Sequence, residues 1–171
     1  MKFLDNLLEG REDQAYALLR IVTGFLFIWH GAQKLFNYPK DFPYPLNPLM
    51  YSAGTIELVG GLLVMIGLFT RPAAFICSGT MAVAYWMVHG LNNIHPMLNG
   101  GELAALYCFA FLFIAARGPG IWSLDKEIIY GQGRRIVRLR LITDNATAPA
   151  SGRHFAPLII NRYKSKKHSG S

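Results

Sequence analysis

Five ionisable side chains, His30, Lys34, Glu57, His89 and Glu102, stand in or at the edges of stretches that are otherwise almost wholly apolar. Glu57 is the sharpest case, because the run from Tyr51 to Phe69 is long enough to cross a bilayer and holds no other charge. A carboxylate in hydrocarbon costs roughly 3 kcal/mol or more unless a partner or water meets it, so an intramembrane ionisable residue points to a functional site. The chemistry on offer is proton handling. A buried carboxyl beside an imidazole can give up and take back a proton, and an ammonium can neutralise the carboxylate or hold an acceptor atom of a ligand.

Spacing says which way these groups look, since residues three or four apart share a helix side. Ala53, Gly54, Gly60 and Gly61 flank Glu57 on its own side. These are the small residues that let membrane helices approach closely, so Glu57 faces protein and not lipid. Thr23, Phe27, His30 and Lys34 form one stripe, which brings a hydroxyl, an imidazole and an ammonium to the same face. The expected pair is Glu57 with His30, and counting helical rise puts Glu57 about 9 Å below the outer boundary, with all five residues in the outer half. Purely structural roles compete: Lys34 can snorkel to the interface, Asn99 and Glu102 have the spacing of a helix N-cap box, His89 beside Gly90 can simply end a helix, and Glu57 can form a structural pair with His30 or Lys34 that only fixes helix packing.

The elements that must hold these residues are helices. Of 171 residues 52% are hydrophobic and only 16% charged, and between Tyr51 and Ala116 the formal charges are Glu57, Arg71 and Glu102 alone. Spans are expected over Ala15 to Phe36, Tyr51 to Phe69, Pro72 to Gly90, and about 98 to 116 with an apolar core from Leu103 to Ala116, each read against the ~20 residues a helix needs. The expectation is an all-α, transmembrane four-helix bundle over residues 15–125, preceded by an interfacial segment 1–14 and followed by a basic tail 126–171. A soluble helical bundle is the alternative, and Gly24 to Trp29 and Gly60 to Phe69, apolar on every face, speak against it. Lys2, Arg11, Arg71, Arg117 and the tail share one side, against Lys34 and Lys40 opposite, so both termini are expected in the cytoplasm. Phe3, Leu4, Leu7 and Leu8 fall at the spacing of a short interfacial helix. The loop from Asn37 to Met50, with Pro39, Pro43, Pro45, Pro48, Tyr38, Phe42 and Tyr44, is stiff and either anchors in the interface or covers the outer mouth of the polar cluster.

The net charge of +7 resides largely in the tail. There it suits anionic lipid headgroups, and nucleic acid is not expected as a partner. Cys77 and Cys108 have similar depths, and each reads as a small buried hydrophobe unless the third and fourth helices bring them together. No C-x-x-C pair, metal-ligand cluster or dinucleotide fingerprint is present in the sequence. Any electrons must then come from a partner or from the substrate.

The segments Leu18–Ile21, Trp29–Phe36, Gly54–Gly61, Gly67–Ala73, Met81–Tyr85, Asn99–Glu102 and Ala115–Gly120 resemble the DoxX family, in the order and spacing that family shows. The resemblance covers most of residues 18 to 125 and implies a small four-helix protein of a bacterial or archaeal cytoplasmic (inner) membrane. Some relatives are associated with thiosulfate:quinone oxidoreduction, others with complexes that handle thiols and oxidative stress. His30, Gln33, Lys34, Glu57, Arg71, Asn99 and Glu102 coincide with the family's polar positions. Three functions follow as expectations. The first is a redox-associated subunit of a quinone-linked oxidoreductase, with Glu57 and His30 relaying a proton and Lys34, Gln33, Glu102, Asn99 and His89 binding a quinone or small sulfur compound. The second is a scaffold that anchors oxidative-stress enzymes, and the third is a small-solute transporter, which would require a homo-oligomer.

Overall fold

The computed structural model describes residues 9–128 other than Asn92, together with Gly131. The chain divides into two units, 1–130 and 131–171, and the first carries the helices below. Among the described residues the regular elements are all helical: α1 (Glu12–Phe36), α2 (Pro48–Ile66), α3 (Thr70–Ala84), α4 (Pro96–Asn99) and α5 (Glu102–Arg117). α3 runs into a widened π-helical turn, Tyr85–Gly90. The interfacial helix expected on Phe3, Leu4, Leu7 and Leu8 and nearly all of the basic tail lie outside the described residues.

Local chemistry moves the helix ends away from the edges of the apolar runs. α2 starts three residues before its apolar run does, because the Asn47 side chain accepts the Met50 N–H at 2.9 Å and Pro48 occupies the first turn. It stops three residues early at Gly67, whose left-handed backbone (φ 72°) turns its N–H back onto the Leu63 and Val64 carbonyls. Glu57 is therefore the middle residue of this 19-residue helix, nine residues from each end. α3 begins at Thr70, with Asp125 as its cap: the carboxylate accepts the Phe69 and Thr70 N–H groups, both at 2.9 Å, and the Thr70 hydroxyl at 2.8 Å.

α1 packs on α2 and α3 on α5, and α2–α3 and α1–α5 contacts close the circuit. Two crossings of α1 and α2 are set by glycine. A Cβ on Gly24 would stand 2.6 Å from the Gly61 carbonyl oxygen, and one on Gly31 would stand 2.6 Å from that of Gly54. Backbone meets backbone there, as in close membrane-helix pairs. The core between the pairs is built on Phe27, Tyr107 and Phe111, with ring centroids 4.6 to 5.9 Å apart, and on Val64, Cys77, Met81 and Ile114. Cys77 and Cys108 are free thiols: Cys77 lies against Gly60 of α2, and Cys108 meets Ser78, whose hydroxyl donates to the Cys108 carbonyl at 2.8 Å.

The outward faces are apolar. Leu18, Val22, Phe25 and Leu26 on α1, Val59 and Leu62 on α2, Phe75, Ile76 and Val83 on α3, and Leu106, Phe109 and Phe113 on α5 are all exposed. Such a girdle far exceeds the small patches of a soluble monomer. α1 and α2 are each long and apolar enough to cross a membrane.

The end of the helices where α1 starts and α5 stops carries a polar lattice. Arg20, fully buried, donates to the carbonyls of Val64 (2.6 Å), Met65 (2.8 Å) and Trp122 (2.7 Å), so one guanidinium ties the last turn of α2 to the segment after α5. Arg71 donates to the Ala115 and Ala116 carbonyls at 2.9 and 2.7 Å, closing the C-terminus of α5. The Tyr16 hydroxyl donates to the Gly118 carbonyl, and Arg117 pairs with Asp13 at 2.8 Å. Partial burial pushes the Asp125 carboxyl up, but hydrogen bonds from Thr70 and Phe69 and the Arg20 guanidinium outweigh it and hold that carboxyl below the usual carboxylate range. The opposite end carries the loop 37–47 and the segment 93–101, which contains α4, and the cavity lies at this end.

Candidate functional site

A cavity of about 580 Å³ opens among α1, α2, α3 and α5 toward the loop end. Its walls are mostly apolar, with Phe27, Ile56, Met81, Leu103 and Tyr107 among the lining residues. His30, Lys34, Glu57 and His89 bring the ionisable groups. A mostly apolar hollow of this size with a few convergent polar groups is the usual form of a small-molecule site, for which roughly 300 to 1,000 Å³ is typical.

Both Glu57 oxygens are taken by Lys34, whose Nζ donates to them at 2.6 and 2.8 Å. The expected Glu57–His30 pair is thus corrected to Glu57–Lys34. The reason lies in reach and in a glycine. Lys34 stands one turn beyond His30 on the same stripe, and its Cβ lies 3.0 Å from where a Cβ on Gly54 would be, so Gly54 leaves room for the lysine stem to run back along α2 to Glu57. The side chain turns inward and does not snorkel: its exposure is 15%, against 3% for the carboxylate. The His30 ring instead stands edge-on to Tyr107 of α5, centroids 5.8 Å apart, on the wall of the same cavity.

The loop after α1 closes over this end. Phe42 and Tyr44 line the cavity, and Lys34 Nζ sits 5.6 Å from the Phe42 ring centroid, within cation–π range. Gln33 does not line the cavity; its Nε2 donates to the Asp41 carbonyl at 3.2 Å and, with Asn37 accepting the Phe42 N–H at 3.0 Å, tethers the loop. On the far wall His89 Nδ1 lies 2.8 Å from the Asn99 carbonyl oxygen. A carbonyl only accepts, so the neutral His89 ring carries its proton on Nδ1 and offers Nε2 as an acceptor.

Asn99 and Glu102 stand apart from the cavity lining. The N-cap box expected of them does not form: Pro96 starts the short α4, Asn99 ends it, and α5 begins after Gly101. Asn99 orders the loop, its amide donating to the Asn93 carbonyl and its Oδ1 accepting the Gly101 N–H, both at 2.7 Å. Glu102 is exposed in the first turn of α5, where an acid complements the helix dipole.

Comparison with known proteins bears on what carries this site. The DoxX family profile matches residues 15–90, which contain His30, Lys34, Glu57 and His89. An uncharacterized Haemophilus influenzae protein is 42% identical over 129 residues, 71% of this chain and 96% of that protein. The chain belongs to the DoxX family. The inner membrane protein YphA of Escherichia coli is 29% identical over 124 residues, 64% of this chain and 87% of its own. CatD of Bacillus subtilis, provisionally named an oxidoreductase, is 28% identical over 120 residues, 67% and 87% of the two chains. No solved structure gives a significant match.

In this DoxX chain the structure gathers four of the seven expected site residues on one cavity, Glu57, Lys34, His30 and His89, and assigns Gln33 and Asn99 to loop positioning. Sequence reading passed over Arg20 and Asp125. The signal for Arg20 was an arginine four residues after Tyr16 inside an apolar run, the position of a buried clamp as much as of a snorkelling cation. Asp125 had no local signal, because it caps a helix more than fifty residues earlier in the chain.

Proposed function

We propose that this DoxX protein is a multi-span helical protein of a bacterial or archaeal cytoplasmic membrane, a four-helix bundle with both termini inside. Its cavity binds a quinone or small sulfur compound as part of a redox-associated subunit. The apolar girdle on every long helix supports embedding, and Arg11, Arg71 and Arg117 gather at the end where α1 starts and α5 stops, as cytoplasmic ends do. The inner-membrane name of the YphA relative agrees with that placement.

One observation carries the ligand reading: a buried Lys34–Glu57 pair on the wall of an otherwise apolar, aromatic-lined cavity. Packing alone does not require a hollow beside an ion pair. A quinone presents two carbonyl acceptors on a flat ring, and the site matches it with the Lys34 ammonium and the ring faces of Phe27 and Tyr107. When a ligand oxygen draws on Lys34, Glu57 loses half of its neutralising contact and its carboxyl becomes the proton acceptor or donor, with His30 on the same wall. Reduction of a quinone to the quinol takes two electrons and two protons. Glu57 and His30 handle protons, and a redox partner protein or the sulfur compound supplies the electrons.

The test is extraction of the full chain from its own membrane into polymer nanodiscs, followed by quantification of quinone per protein. Enrichment well above the bulk lipid ratio, reduced several-fold in Lys34→Met and Glu57→Gln, is the expected result. Quinone at the bulk ratio in the wild-type protein overturns the reading.

A further inference from the structure

Part of the cavity lining is exposed along α2 and α3, and it includes a glycine that packing does not explain. Gly79 and Val83 on α3, and Met87 in the π-helical turn that follows it, line the cavity and are themselves exposed, the latter two by 50% and 57%. Across from them on α2, Ser52 lines the cavity and is exposed, and Ile56 is half-buried. Ser52 and Ile56, like Gly79 and Val83, stand four residues apart, so each pair lies on one helix face, and the two faces border a cleft between α2 and α3. The loop end is covered by Phe42 and Tyr44. The side cleft lies within the apolar girdle, which the proposed embedding surrounds with lipid tails.

Gly79 stands in the interior of α3, where glycine is less favourable than alanine. At Gly24, Gly31, Gly54, Gly60 and Gly61 an added Cβ would crowd a neighbour, and close packing accounts for the residue. At Gly79 nothing lies within 4 Å of that position. Its missing side chain leaves free space at the cleft and serves no contact of the fold.

We infer that the cleft between α2 and α3 is a lateral portal that admits a membrane-dissolved ring compound with a hydrocarbon tail, the tail lying past Gly79 while the ring reaches the Lys34–Glu57 pair. This rests on the quinone reading above and deepens it, favouring a lipid-soluble quinone over a water-soluble sulfur compound. A tail-free ring needs no portal contact, whereas a tailed one keeps its chain in the cleft. Gly79 is thus a specificity-determining residue, and its effect falls on the tail.

The experiment uses the full chain in nanodiscs and two probes, decylubiquinone and the dimethoxy-methyl-benzoquinone head group without a tail. Binding is read by tryptophan-fluorescence quenching, with protein-free nanodiscs setting the partition background. Gly79→Leu should weaken decylubiquinone binding by about tenfold, the equivalent of about two buried methylene groups, and the tail-free ring by less than about threefold. Gly79→Ala should bind both as the wild type does. Val83→Trp, on the same rim, should repeat the tail-selective loss and keeps the test available if Gly79→Leu folds poorly. Equal weakening of both probes, or no weakening of either, overturns the portal. A wild-type protein that binds neither probe overturns the quinone reading beneath it.

Discussion

Removing Lys34 should be the most damaging single change at the cavity, and more damaging than removing its partner. Lys34 Nζ holds both Glu57 oxygens at 2.6 and 2.8 Å, and the carboxylate side chain is 3% exposed against 15% for the lysine. In Lys34→Met the protein must bury an unpaired carboxylate or take up a proton to neutralise it. The second route caps the penalty: at about 1.36 kcal/mol per pH unit between an ordinary glutamate value near 4.3 and pH 7, it is roughly 3.7 kcal/mol. That agrees with the ~3 to 5 kcal/mol usual for breaking a buried pair. Glu57→Gln should cost only about 1 to 2 kcal/mol, because the freed ammonium can swing toward Phe42 and the loop end. The double change Lys34→Met with Glu57→Leu should return to within about 1 kcal/mol of wild type. Acid should relieve Lys34→Met, since the neutral carboxyl is favoured below its unfolded value and the added stability is lost as pH rises; the deficit at pH 5 should be about 1 kcal/mol. The assay is reversible unfolding against the fraction of denaturing detergent in mixed micelles, at pH 5 and 7. Equal losses in the two single variants, no relief by acid, or a double variant no better than Lys34→Met would refute this reasoning.

Three further outcomes follow from the packing and the polar lattice. Asp125→Asn should cost about 1 kcal/mol at pH 7 in the same assay. Because the folded Asp125 carboxyl lies below its usual range, that stabilisation is present above the unfolded value and lost as pH falls through the folded one, so wild type and variant should converge in acid. Gly24→Ala and Gly31→Ala should each cost about 1 to 3 kcal/mol by forcing backbone apart, while Gly79→Ala, with open space around it, should be neutral or stabilise by up to about 1 kcal/mol. Arg20→Met should cost about 3 kcal/mol by taking the guanidinium donor from the Val64, Met65 and Trp122 carbonyls, of which Val64 keeps the Gly67 N–H, and Arg20→Lys should recover less than half of that in thermal unfolding, because an ammonium lacks the guanidinium fork.

What the sequence made readable was periodic. Gly54 and Gly61 around Glu57 placed that carboxylate against α1, and the His30–Lys34 stripe faced it as expected, while Gly60 met Cys77 of α3. The choice between His30 and Lys34 lay beyond periodicity, since both share the stripe and the outcome turned on a lysine stem lying over Gly54. The place of Glu57 along its helix differs from the count because hydropathy marks where apolar residues begin, whereas Asn47 and Pro48 mark where the helix begins. Asn99 and Glu102 had the spacing of a cap, but Pro96 and Gly101 divided them between two helices. Long-range polar bonds, Arg20 to Trp122 and Asp125 to Thr70, leave no local pattern at all.

The central claim is that a lipid-soluble quinone occupies the cavity beside Lys34 and Glu57. Photolabelling native membranes with an azido-quinone and mapping the adducts by mass spectrometry tests it most directly. The account predicts adducts on cavity-lining residues such as Met81, Met87 and Tyr107, lost in Lys34→Met and displaced by excess unlabelled quinone. Adducts spread over outward residues such as Phe75, Phe109 and Phe113, and insensitive to competitor, would contradict it.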